Sequence, residues 1–189
     1  MSPNQKNTQN PPNPYEILGL KPSFSITPTQ IQHAYLQKLS TTHPDLGPTS
    51  GHTQLDPAAL NQARDTLQSD EARANLMLHL LNGPSPTDKS LPDNFLMEMM
   101  QLRTQIEEEL APQSEDASEA RARWQSWAND ERTNTIATIT TLFESLPAAD
   151  ASSASDIKLQ IRTRLNAWRY TERLIEQLDP TYHPSNTDF

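Results

Sequence analysis

His43 and Asp45 are the two side chains of this sequence best placed to act together. They flank Pro44 in a short segment between two helical patterns. Proline fixes its own φ angle and keeps the preceding residue out of the α region, so the first helix should end here. Such a loop presents an imidazole and a carboxylate at a set separation, for catalysis, for metal binding or for recognition of another protein.

Catalysis and metal binding find little support in the rest of the sequence. There is no nucleophile motif, and four glycines form no phosphate-binding loop. A metal site would need more ligands, but the other histidines lack ligand spacing: His33, His52, His79 and His183. We therefore expect no catalytic residue, no metal and no cofactor. A loop that docks on another protein fits best, and an ordinary helix–helix connection is the alternative.

A second candidate site lies on a helix predicted from Pro92 to about Ala111. Its core stripe spans about 80° of the helical wheel and contains Phe95, Met99, Leu102, Ile106 and Leu110. Leu96, Met97 and Met100 fall outside the stripe, about 40° to 140° beyond its edge. These three either pack against the N-terminal domain or form a partner-binding face, for which methionines are well suited.

The composition indicates small cores in an acidic protein. Of 189 residues 34% are apolar, the net charge is −9, and the pI is about 4.9. An acidic surface repels phosphate backbones and anionic lipid, so we expect neither nucleic acid nor membrane as partner. The lack of cysteine excludes disulfides and thiolate metal sites. No apolar run reaches the ~20 residues of a membrane span, and no secretory signal is seen, so a soluble cytoplasmic protein is expected.

Helix signals fill the first half of the chain. A short helix from Pro14 should stop at Gly19, and a longer one starts at Thr27, which can form a capping box with Gln30. Two further helices are predicted over residues 56–68 and 70–81. The expected buried stripes of the last three helices are Ile31, Tyr35 and Leu39; Leu60, Ala63 and Leu67; and Ala72, Leu76 and Leu80.

The second half predicts a bundle. Residues 82–93 contain three prolines and mark the best domain boundary. The helix from Pro92 is followed by patterns over 114–146 and from Asp156 onward. Their stripes are Trp124, Ala128, Ile139, Leu142 and Leu146, then Ile157, Ile161, Leu165, Trp168 and Ile175. Long amphipathic helices with short connections indicate an antiparallel three-helix bundle, in which Trp124 and Trp168 serve packing.

Several of these motifs together resemble a known family. The run from Asn13 to Leu20, a capped helix, the His-Pro-Asp triplet and Leu60-Asn61-Gln62-Ala63 resemble the J-domain of DnaJ-type co-chaperones. The stretch from Phe95 to Arg103 and the order of parts are similar to HscB-type co-chaperones of iron–sulfur cluster assembly. This resemblance covers about residues 13 to 179.

The resemblance implies roles for the first candidate site. In J-domains the second helix and the His-Pro-Asp loop dock on a DnaK- or HscA-type ATPase and stimulate ATP hydrolysis. Carried over, His43, Pro44 and Asp45 would be the trigger, and Tyr35 and Lys38 would belong to the docking helix. Asp45 would accept hydrogen bonds from an arginine of the partner.

The resemblance also implies a role for the second site. In HscB-type bundles, apolar residues of the first bundle helix bind the cluster scaffold IscU, and carried over these are Leu96, Met97 and Met100. An aromatic contact on the last helix would fall at Ala167 or Trp168, of which we take Trp168 as the candidate. The family's second J-domain helix is usually basic, whereas residues 14–82 hold four Lys or Arg against six Asp or Glu. Electrostatic steering should therefore be weak.

The sequence thus predicts an all-α protein without enzymatic activity of its own. We expect a tail over 1–13, a J-domain over 14–83, a linker over 84–92, a three-helix bundle over 93–179 and a tail over 180–189. The expected function is to deliver an IscU-like scaffold to a DnaK/HscA-type ATPase. A J-domain protein with a different client and a helical adaptor with a vestigial J-domain are the alternatives.

Overall fold

The computed structural model describes residues 12–42, 56–110 and 117–176, and in these ranges every regular element is helical. The predicted all-α fold class is confirmed. The helices there are α1 (Pro14–Leu18), α2 (Pro28–Thr42), α3 (Pro57–Gln68), α4 (Asp70–Leu80), α5 (Phe95–Glu109), α6 (Ala117–Ser145) and α7 (Ala151–Glu176). Contacts divide the chain into two compact units, Met1–Met77 and Leu78–Phe189, called here the N-terminal and C-terminal units.

Local hydrogen bonds cap both ends of α1 and the start of α2. Asn13 and Glu16 form a capping box at the start of α1, with N–O distances of 3.0 and 3.2 Å. Gly19 ends α1 as predicted, because its φ of 70° is open to glycine at little cost. The capping box predicted between Thr27 and Gln30 is also present, with distances of 2.9 and 3.2 Å.

The core of the N-terminal unit follows the predicted stripes of α2 and α3. Ile31 and Tyr35 are buried and Leu39 is half-buried. All three predicted residues of α3 are buried: Leu60, Ala63 and Leu67. The stripe predicted for α4 is wrong, since its members Ala72, Leu76 and Leu80 are only half-buried. Apolar residues occur all around α4, and the structure buries Arg73, Ala74, Met77 and Leu78 instead.

The buried guanidinium of Arg73 joins three segments of the N-terminal unit. The side chain is 5% exposed and donates from Nε to the carbonyl oxygen of Phe24 at 2.9 Å. Its two terminal nitrogens donate to the carbonyl oxygen of Leu67 and to the carboxylate of Asp70. The guanidinium also lies 5.0 Å from the centroid of the Phe24 ring. Burial of this charge is tolerated because each of the three guanidinium nitrogens donates a hydrogen bond and the group lies near an aromatic ring.

The C-terminal unit is built from α5, α6 and α7 around a largely apolar core. Ile106, Trp124, Ala128 and Leu174 form one buried cluster, with Met99, Leu102, Leu110 and Trp127 packed against it. The buried positions of α7 include Ile161, Leu165 and Trp168, as predicted. In α6 the stripe contains the buried Phe143, which the sequence pattern missed, beside a half-buried Leu142.

Two bundle helices begin at other residues than predicted. Helix α7 starts at Ala151, five residues before the expected Asp156. The carboxylate of Asp150 accepts a hydrogen bond from the N–H of Ser153 at 2.8 Å, so a capped start precedes the apolar stripe. Helix α5 starts at Phe95 instead of Pro92, after a residue with a φ of 61°, Asn94.

The segment predicted to be a linker is held by two polar side chains of α7. Arg162 is 1% exposed and donates from Nε and Nη2 to the carbonyl oxygen of Pro84, both at 3.2 Å. Asn166 donates from Nδ2 to the carbonyl oxygens of Asp88 and Ser90 at 2.9 and 3.0 Å. These bonds satisfy carbonyl groups that a proline-rich segment cannot pair within itself.

Hydrogen bonds to one carboxylate connect α6 and α7, and we call this group of Arg132, Trp168 and Glu172 the clasp. Arg132 donates two hydrogen bonds to the carboxylate of Glu172, one of them from Nε to Oε1 at 2.8 Å. The indole Nε1 of Trp168 donates to the same carboxylate at 2.6 Å. The bonds from Arg132, together with that of Trp168, lower the pKa of Glu172 below its ordinary value, although partial burial opposes the shift.

We predict that Arg73→Ala destabilises the N-terminal unit by about 3 kcal/mol, because it leaves two buried carbonyls and a carboxylate without their donor. Urea unfolding followed by far-UV circular dichroism measures the loss. Arg64→Ala, which removes a half-buried arginine paired with its neighbour Asp65, is the control and should cost less than ~1 kcal/mol. All three tryptophans lie in the C-terminal unit, so their fluorescence tests whether the bundle stays folded. An Arg73→Ala variant as stable as Arg64→Ala contradicts the prediction.

We predict that Arg132→Met raises the pKa of Glu172 more than Trp168→Phe does, as measured by carboxyl-carbon NMR. Because the folded-state pKa lies below the ordinary value of 4.5, the clasp stabilises the fold above that pH. This stability is lost as the pH falls through the lowered pKa. Unfolding of Arg132→Met should therefore depend less on pH in this range than unfolding of the wild type. Equal pKa values for Glu172 in the wild type and in Arg132→Met contradict the clasp.

Candidate functional site: two exposed helix faces

The first predicted site, His43 with Pro44 and Asp45, lies outside the described residues and stays a prediction. What the structure does describe is α2, which runs to Thr42 and so leads directly into this segment. The predicted end of this helix just before Pro44 falls at the edge of the described residues and stays a prediction.

The predicted place of Tyr35 on the docking surface is corrected by its burial. Tyr35 is 9% exposed, and its hydroxyl donates to Oδ1 of Asn61 on α3 at 2.8 Å. The guanidinium of Arg64 covers its ring at 4.7 Å from the centroid. Tyr35 therefore joins α2 to α3, and its side chain offers a partner little surface.

Lys38 is the only lysine or arginine of α2, and it is half-buried. Its aliphatic end lies over the turn that ends α1, where a Cβ placed on Gly19 would be 3.1 Å from Lys38 Cε. Long cationic side chains commonly pack their stems in this way and keep the charged end near water. Lys38 therefore lies at the edge of α2, whereas the centre of the outward face is formed by other residues.

The second predicted site is an apolar face on the first turns of α5. The side chains of Leu96, Met97 and Met100 are 52%, 57% and 71% exposed. The stripe assigned to the core is turned inward: Ile106 is buried, and Phe95, Met99, Leu102 and Leu110 are half-buried. The division of α5 into a packed stripe and a second apolar face is therefore confirmed. The scaffold-binding role of Leu96, Met97 and Met100 is not tested by this geometry and stays a prediction.

The geometry does not test the scaffold contact predicted at Ala167 or Trp168, but it shows Tyr170 as the exposed aromatic side chain of α7. Trp168 is 6% exposed and Ala167 is 7% exposed, so both belong to the bundle core. Tyr170 is 44% exposed and meets the ring of Phe95 edge-on, with 5.9 Å between centroids. This contact places Tyr170 beside the first turn of α5, next to the exposed apolar face.

A signal for Tyr170 was present in the sequence. On the wheel of α7 it falls about 140° outside the predicted core stripe. The same criterion that singled out Leu96, Met97 and Met100 on α5 therefore identifies Tyr170 on α7. We call Leu96, Met97, Met100 and Tyr170 the α5–α7 patch.

Other site types find no support among the residues described. No cluster of three or more His, Asp or Glu side chains there could hold a metal ion. Within the same residues, no helix has the length and apolar character needed to cross a membrane.

Known proteins resemble the chain in sequence, although no protein-family model matches it. A co-chaperone protein HscB homolog of Haemophilus influenzae is 28% identical over 175 residues, which are 88% of this chain and 93% of that protein. An HscB homolog of Paraburkholderia xenovorans is 27% identical over 113 residues, or 56% of this chain and 65% of the relative. The mitochondrial J-type co-chaperone jac1 of Schizosaccharomyces pombe is 33% identical over 91 residues, which are 46% of this chain and 40% of that protein. The match thus spans less than two thirds of the last two relatives.

Solved structures of the same kind of protein share the fold. Human co-chaperone protein HscB matches with a TM-score of 0.64 at 22% identity, over 89% of this chain and 82% of the human chain. Chaperone HscB from Vibrio cholerae matches with a TM-score of 0.58 at 22% identity, over 89% of this chain and 100% of the other. The chain is therefore similar to HscB-type co-chaperones in both sequence and fold, which confirms the resemblance inferred from its motifs.

Proposed function

We propose that this protein is a cytoplasmic co-chaperone that delivers an IscU-like iron–sulfur scaffold to a DnaK/HscA-type ATPase and stimulates that ATPase. The observation that carries the proposal is the α5–α7 patch. ATP hydrolysis belongs to the partner, so the protein contributes binding surfaces and no catalytic group.

The size of the patch supports a binding role. Single exposed apolar residues are normal on protein surfaces, whereas a cluster of large ones marks interaction sites. Fully burying one leucine or methionine gains about 1.5–3 kcal/mol. Leu96, Met97 and Met100 together could therefore supply most of the affinity of a micromolar complex. The flexible thioethers can follow an irregular partner surface.

Tyr170 adds a rigid anchor to the patch. An aromatic side chain loses little conformational entropy on binding, and tyrosines are enriched among the residues that dominate interface energies. Its contact with Phe95 fixes the ring beside α5 before any partner arrives. A preorganised anchor next to adaptable methionines is a favourable combination for binding one folded protein.

The second part of the proposed mechanism, stimulation of the partner ATPase, depends on the segment that follows α2. The carboxylate of Asp45 would accept charge-assisted hydrogen bonds from an arginine of the ATPase, and Pro44 would keep His43 and Asp45 at a constant separation. With the scaffold bound to the C-terminal unit, one molecule would bring client and ATPase together. ATP turnover would then be coupled to release of the cluster.

We predict that replacing Leu96, Met97 and Met100 by serine weakens binding to an IscU-like scaffold at least ~100-fold, measured by isothermal titration calorimetry. Tyr170→Ala alone should cost about tenfold. The control is Leu159→Ser on α7, where an equally apolar side chain is 42% exposed outside the patch, and it should bind as the wild type does. A triple variant that binds like the wild type rules out the patch. A folded protein that binds no scaffold at all points to a different client.

We predict that His43→Gln abolishes stimulation of the partner ATPase and leaves scaffold binding unchanged, because the two sites are separate. Single-turnover ATP hydrolysis, with and without scaffold, measures the first effect and calorimetry the second. If neither the wild type nor the variant changes the ATPase rate, the protein is an adaptor with a vestigial J-domain.

A further inference from the structure

The outward face of α2 has no Asp, Glu, Lys or Arg. Its exposed residues lie within about 120° of the helical wheel and are Thr29, Gln30, His33, Leu36, Gln37 and Ser40. On one side this face borders an open groove of about 620 Å³, which is lined by His33 and Gln37 of α2 and by the preceding segment with the exposed Lys21. The helix face itself offers a partner hydrogen-bonding groups and apolar surface and no formal charge, and a single lysine lines the groove beside it.

Two of the four described cations between residues 14 and 82 are held in ion pairs. Of the four Lys and Arg residues between 14 and 82, Arg73 is buried in its own ion pair. Arg64 pairs with the neighbouring carboxylate at 2.8 Å. Lys38 is half-buried at the edge of α2, and Lys21 precedes α2 by seven residues. A strongly acidic partner surface would consequently meet almost no positive charge on α2.

Leu36 is the largest apolar feature of this face. It is 52% exposed, and in residues 12–42 and 56–77 no other large apolar side chain is comparably exposed. It lies six residues, ~9 Å, before the end of α2 at Thr42. A partner that reaches the segment after Thr42 would therefore cover Leu36 as well.

We propose that α2 docks on an uncharged, apolar surface of the partner ATPase and that Leu36 is its anchor. The inference rests on the proposed function, because it concerns the same contact, and it names the chemistry of the partner's surface. Charge complementarity supports the choice: neither an acidic nor a basic partner surface would find opposite charges on this face. Burial of Leu36 then supplies the attraction that ion pairs cannot.

The experiment measures how much protein gives half-maximal stimulation of a purified DnaK- or HscA-type ATPase, at ~50 and ~300 mM salt. Leu36→Ser removes the anchor, and Leu36→Lys replaces it with a positive charge. Leu159→Ser in the C-terminal unit is the matched control, because the side chain of Leu159 is exposed to a similar extent as that of Leu36. Because Leu36 is exposed, both variants should keep the wild-type melting temperature.

For the wild type, the half-maximal concentration should change less than ~2-fold with salt. It should rise at least ~5-fold for Leu36→Ser and further for Leu36→Lys, and stay constant for Leu159→Ser. Strong salt dependence of the wild type, unchanged behaviour of Leu36→Ser, or improved stimulation by Leu36→Lys each overturns the inference. Absence of stimulation by the wild type overturns the proposed function itself, whereas stimulation that needs His43 but ignores Leu36 overturns only this inference.

Discussion

The packing of Ile106 against Trp124, Ala128 and Leu174 fixes the rotation of α5, and the position of the α5–α7 patch depends on it. Successive side chains of a helix are separated by 100°, so burying one stripe of α5 in this core turns its second apolar face away from the core. In α5 that second face is exposed to solvent. The exposure of Met100, at 71%, is thus a consequence of core packing further along the same helix.

The same constraint acts on α2 in the N-terminal unit. Ile31 is fully buried, and the hydroxyl of Tyr35 bonds Asn61, so the rotation of α2 is fixed by both apolar and polar contacts. Leu36 follows Tyr35 directly and is turned about 100° away from it. The tyrosine expected on the docking surface is therefore the residue that orients this surface, and its neighbour is the one exposed.

Much of the fold could be predicted from local sequence. The capping box between Thr27 and Gln30, the stop at Gly19 and the stripe of α3 depend on residues within one or two turns, and all are confirmed. The two apolar sides of α5 were predictable for the same reason, because periodicity alone separates them. The start of α7 was missed, since a cap at Asp150 with alanines and serines after it has no apolar period.

What could not be predicted depends on contacts between distant residues. Arg73 and Arg162 look like surface cations in the sequence, yet each is buried because carbonyl oxygens from other segments accept its hydrogen bonds. Burial of α4 on several sides likewise hides any single stripe. For α7 the difficulty was different. Trp168 is assigned from the sequence both to the bundle core and to the scaffold-binding surface, and one side chain cannot be buried and exposed at once.

The acidic charge of the chain and its exposed apolar faces serve complementary purposes. Apolar patches of this kind also favour association between copies of the same protein. A net charge of −9 opposes such self-association, because two copies repel one another as they approach. On α5 the residues that follow the patch form an internal ion pair, Arg103 with Glu107 at 2.7 Å, whereas the exposed Glu98 adds a negative charge beside the patch itself. Repulsion between copies is thus distributed over the whole molecule, while attraction is confined to small apolar faces that a partner of matching shape can cover.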